Sequence, residues 1–116
     1  SILFCLWDGE ELGMKGSTNF CQNKMIDGTL HDISYANILD TIAWNKSFSK
    51  FGENQKLQIT CETSESYQLI LDDFSRVCAY FLPDEVVVDQ CTKPWGSDHM
   101  SFIKRGVAAV LLISCD

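Results

Sequence analysis

Unbroken apolar runs alternate with polar stretches along this chain. Ile2-Leu3-Phe4-Cys5-Leu6-Trp7 and Val107-Ala108-Ala109-Val110-Leu111-Leu112-Ile113 carry no polar residue, the pattern of strands covered on both faces of a sheet. Tyr35-Ala36-Asn37-Ile38-Leu39, Leu57-Gln58-Ile59-Thr60-Cys61 and Val86-Val87-Val88 are shorter strand candidates. Between Glu65 and Phe81 the residues Tyr67, Ile70, Phe74, Val77 and Phe81 recur every three or four positions. That spacing predicts an amphipathic helix, which Pro83 closes. A second helix is predicted through Ser17 to Met25, with Phe20, Cys21 and Met25 as its apolar face. After the loop signature Pro94-Trp95-Gly96, Ser97 or Asp98 is placed to cap a short helix carrying His99, Phe102 and Ile103, with Gly106 as terminator. Strands alternating with helices predict an α/β fold with a mostly parallel mixed sheet, and two doubly apolar strands require helices on both faces, a three-layer α/β/α sandwich. Two amphipathic helices are thin cover for that sheet, so the chain reads as part of a larger unit. Asn45 to Lys56 is polar enough to read as a loop.

Composition narrows the function. With 116 residues, 46% of them hydrophobic and 22% charged, the chain can bury a modest core. The net charge is −7 and the nine Lys and Arg do not cluster, which argues against nucleic-acid binding. No apolar segment reaches the roughly 20 residues of a membrane span. The six cysteines show no Cys-x-x-Cys spacing, which removes zinc-knuckle and thioredoxin-type readings and leaves buried thiols as the simplest account. Asn45-Lys46-Ser47 fits a glycosylation acceptor.

The chemistry-bearing residues stand where apolar runs end. Glu10 and Glu11 follow the first run directly, and adjacent carboxylates there repel each other unless a cation or shared proton offsets the cost. A metal resolves that conflict, one carboxylate ligating and the other taking a proton from water. On spacing alone an acidic turn at a helix start is the simpler account of the pair. His99, in a first helical turn beside a buried strand, is a candidate ligand or a packed core histidine. His31, in a polar stretch, reads as a loop residue. Trp95 is either an apolar wall for a substrate residue or a loop Trp packed on its own backbone.

Three motifs in order decide between these readings. Trp7-Asp8-Gly9-Glu10-Glu11-Leu12-Gly13 with Gly16-Ser17, then Asn37-Ile38-Leu39-Asp40, then Ser97-Asp98-His99 with Phe102 and Gly106, resemble the M28 family of zinc aminopeptidases over nearly the whole chain. The resemblance implies a zinc-exopeptidase type of fold, with residues 1–116 forming part of one catalytic domain. It implies Glu10 as general base, Glu11 and His99 as ligands of one zinc, Asp40 as a ligand of the other, and a peptide as substrate. Two zinc ions are expected in a complete domain, in an extracytoplasmic or vacuolar setting. The family's His-x-Asp element and bridging Asp fall upstream of Ser1, so the expectation is a C-terminal part that needs the N-terminal half of its own domain. Alone, it should bind zinc weakly and hydrolyse little. A single-zinc glutaminyl-peptide cyclase and a non-catalytic peptidase-like binding domain are the alternatives on the same scaffold.

Overall fold

A computed structural model describes residues 1–42 and 56–114. The Asn45-Lys46-Ser47 acceptor, Cys115 and nearly all of the expected polar loop lie outside these residues. The elements are α1 (Lys15–Ile26), a 3-10 turn at Leu30–Asp32 that holds the exposed His31, β1 (Ala36–Asp40), β2 (Leu57–Glu62), a 3-10 turn at Glu65–Tyr67, α2 (Gln68–Phe81), β3 (Val86–Cys91), α3 (His99–Ile103) and β4 (Ala109–Ser114). The four strands form one sheet in the order β1-β4-β2-β3. β1 runs parallel to β4 with Ile38 opposite Leu111, and β2 parallel to β3 with Ile59 opposite Val88. The halves join antiparallel through β2 and β4, where Cys61 faces Leu112. The sheet is therefore mixed and mostly parallel, as the sequence pattern predicts.

β4 shows why its residues are all apolar. Its period of two sends Ala109 and Leu111 into a cluster with Cys21 of α1, Phe102 of α3 and Ile38 of β1. Val110 and Leu112 enter the opposite cluster with Cys61 and Leu71 of α2. Helices cover both faces, which gives the three expected layers. α3 ends at Gly106, whose φ of +77° closes the helix with Gly106 N donating to Ile103 O at 3.0 Å and Val107 N to Phe102 O at 3.1 Å.

Three expectations are corrected. Ile2–Trp7 is no strand: among the described residues no strand pairs with it, and Phe4 and Leu6 are 90% and 102% exposed. Apolarity makes a segment fit to be buried, but a strand also needs a neighbour for its backbone, and this run has none here. The buried line of α2 runs through Leu71 and Cys78 with Ile70 and Phe74 beside it, while Val77 and Phe81 face solvent. The helical period admits both lines, and packing against Val110 and Leu112 selects the first. On α1, Ser17 and Cys21 are buried one turn apart but Met25 is exposed, because the facing α3 is only five residues long.

Five described cysteines are free thiols; Cys21, Cys61 and Cys78 are buried, and Cys5 and Cys91 are partly exposed. Burial pushes the Cys61 thiol up to about 12 and raises those of Cys21 and Cys78.

Candidate active site

The segment after Trp7 folds back on itself. Asp8 Oδ1 accepts the Gly9 N–H at 2.7 Å, Gly9 O accepts from Lys15 N at 3.0 Å, and Glu10 O accepts from Met14 N at 2.8 Å. Gly16 N then donates to Asp8 O at 2.9 Å, an approach so close that a Cβ on Gly16 would stand 2.6 Å from that oxygen and 2.8 Å from the Trp7 Cβ. Only glycine fits there. The Trp7 ring is anchored on Phe20 and Phe102, at centroid distances of 5.7 and 5.6 Å. This turn presents Glu10, partly buried, and Glu11, exposed, beside the start of α1.

The three motifs meet through hydroxyl groups. Ser17, fully buried, donates to Asp98 Oδ1 at 2.6 Å and lies 2.8 Å from Ser101 Oγ, which Thr18 Oγ1 approaches at 3.1 Å. α1 is thereby stitched to α3. Ser97 Oγ donates to Asp40 Oδ2 at 3.3 Å, which ties the end of β1 to the same turn. Asp98 stands at the N-cap of α3 but makes no capping hydrogen bond; its carboxylate is turned to Ser17 instead.

Glu10 feels this convergence. Partial burial raises its pKa, and the negative charges of Glu11, Asp40 and Asp98 raise it further. Four carboxylates from three separate segments thus share one electrostatic neighbourhood.

His99 faces elsewhere. Its ring is fully buried, with Nε2 at 3.1 Å from Glu62 Oε1, and neither ring nitrogen has an aligned hydrogen-bond partner. Burial lowers its pKa to about 4 and raises that of Glu62, which the N–H groups of Trp95 partly offset. Both burial effects disfavour an ion pair. The Trp95 side chain is 87% exposed, so it does not pack on its own backbone.

Glu10, Glu11 and Asp40 fit a metal ion in kind, as oxygen donors whose mutual repulsion a cation relieves. They are not a complete site by themselves: among the described residues no three His, Cys, Asp or Glu side chains are gathered closely enough to hold a metal. The structure brings Glu10, Glu11 and Asp40 into one neighbourhood and leaves His99 against Glu62. Sequence reasoning gave Asp98 only a helix-capping role, which the structure replaces with the contact to Ser17, and gave no role to Glu62, whose only signal is a carboxylate ending a strand.

The sequence model of peptidase family M28 matches residues 1–115. No curated protein matches the chain. Among solved structures, the aminopeptidase from Aneurinibacillus sp. strain AM-1 is similar with a TM-score of 0.63 and 20% identity, over 94% of this chain and 23% of that one. At that identity the likeness concerns the fold, and the chain spans less than a quarter of the length of that aminopeptidase.

Proposed function

We propose, on the premise that this chain belongs to peptidase family M28, that it carries the general base and part of the metal-binding set of a zinc-dependent aminopeptidase site. The observation that carries this reading is the convergence of Glu10, Glu11, Asp40 and Asp98 from three separate segments, joined by the Ser17–Asp98 and Ser97–Asp40 hydrogen bonds. A base is most effective when its pKa lies nearer the working pH than that of an ordinary carboxylate. Glu10 takes a proton from the attacking water and delivers it to the departing amine. Glu11 and Asp40 are the residues that would hold zinc, which when bound polarises the peptide carbonyl. The contact with Glu62 supports His99 as a residue that holds its turn rather than as a ligand. Asp98, fixed by Ser17, adds the last of the charges that, after burial, Glu11 and Asp40, raise the Glu10 carboxyl.

The test is release of the N-terminal residue from unblocked peptides by the full-length natural protein, with zinc supplied. Glu10→Gln should lower kcat by about a hundredfold or more while the protein stays folded. An unchanged rate removes Glu10 as the base, and formation of pyroglutamate in place of a free amino acid transfers the site to cyclase chemistry. The 116-residue chain alone is expected to bind zinc weakly and to show little peptidase activity.

A further inference from the structure

Glu62 is the one buried carboxylate among the described residues, 3% exposed at the end of β2. Its neighbours in register are Leu111 of β4 and Cys91 of β3, which offer a carboxylate no side-chain charge. Holding it there is costly unless its oxygens are occupied. Two groups meet one of them: the Trp95 N–H donates to Oε1 at 2.9 Å, and His99 Nε2 stands 3.1 Å from the same atom without an aligned hydrogen bond. Those groups are the two ends of one five-residue segment. Between them lie Ser97, which donates to Asp40, and Asp98, which accepts from Ser17. One oxygen on the sheet therefore holds the first end of the segment by a hydrogen bond and lies against the last, while the middle of the segment reaches the other acidic residues.

We propose that Glu62 is a positioning residue for this site, clamping the Trp95–His99 turn so that Ser97 meets Asp40 and Asp98 meets Ser17. It touches neither substrate nor metal and acts through the turn. The proposal rests on the peptidase reading for its kinetic consequence, but the clamp itself is a statement about the turn. What the clamp supplies is an acceptor, so an uncharged acceptor of the same shape should serve.

The experiment compares Glu62→Met, similar in length but a poor acceptor, with Glu62→Gln, which keeps a carbonyl oxygen, in the full-length natural protein. Glu62→Met should lower kcat by about tenfold to a hundredfold through misplaced catalytic groups, with KM within about twofold. Glu62→Gln should restore kcat to within about threefold of wild type. Equal kcat in Glu62→Met and wild type, or a Gln variant as impaired as Met, overturns the proposal. In the unsubstituted protein, amide hydrogen exchange at Trp95 should be at least about tenfold slower than at Gly96; equal exchange overturns the clamp even where Glu62→Met does not fold. Wild-type protein that hydrolyses no peptide refutes the peptidase reading, and exchange at Trp95 still decides the clamp.

Discussion

β4 and the run Ile2–Trp7 are both unbroken apolar segments, and their surroundings are opposite. β4 is hydrogen-bonded on both edges, to β1 and β2, and covered on both faces, by α1 with α3 and by α2. Ile2, Leu3, Phe4 and Leu6 are exposed, and only Trp7 at the end of the run is packed, on Phe20 and Phe102. The difference teaches that hydropathy reports a capacity for burial, whereas a strand is a relation between segments. An exposed apolar segment without pairing is also free to pair with another strand.

Substitutions at the two poles give the largest and smallest effects expected. Leu111→Ala should cost about 2–5 kcal/mol in denaturant unfolding, the range for emptying a core leucine site. A loss below about 1 kcal/mol would mean that β4 does not organise the core.

His99, carried by a helix packed on β4, comes next. Its folded pKa of about 4 lies below its ordinary 6.5, so the unfolded chain binds the proton more readily. The stability tied to its neutral ring is complete above pH 6.5, falls as the pH drops towards about 4, and levels below that. The loss is on the order of 3 kcal/mol. Buried Glu62 opposes this, since its raised carboxyl removes stability as the pH rises through the carboxylate range. The measurement therefore belongs in a Glu62→Gln background, and a flat profile there between the two limits would show that the ring is not buried neutral.

Gly16→Ala tests the joint that ties the end of the open run to the packed body. The added methyl overlaps Asp8 O and the Trp7 Cβ, and overpacking of this kind costs about 1–3 kcal/mol. Quenching and red shift of the fluorescence from this region would accompany it as Trp7 leaves its ring partners. Leu6→Ala should change stability by less than about 0.5 kcal/mol. If it costs as much as Leu111→Ala, the run is covered in solution and the contrast between the two segments fails.

The core strands and the long helix were legible in the sequence because their periods are set by local geometry. β1, β2, β3 and β4 all fall on predicted runs, and α2 begins and ends close to its expected limits. The face that α2 buries was not legible, since one helical repeat supports two apolar lines and only Val110 and Leu112 choose between them. Glu10, Glu11 and Asp40 could be named from the order of motifs, and they do share a neighbourhood. The contact between Glu62 and His99 joins residues far apart in the chain whose types are common on surfaces, so it exists only once β2 and α3 are folded together. For the same reason the serine between the two helices, Ser17, reads as an ordinary small residue until its partner Asp98 arrives.

The buried thiols make the chain its own chronometer. Cys21 lies beneath α1 on one side of the sheet, Cys61 and Cys78 beneath α2 on the other, and burial raises the pKa of all three so that they are poor nucleophiles while covered. Each should therefore be alkylated only when its own layer lifts from the sheet, at a rate set by that opening. Cys5, on the open run, should be labelled at once and mark time zero. Mass spectrometry of the unaltered protein would then read the breathing of the two helical layers separately, without a single introduced probe.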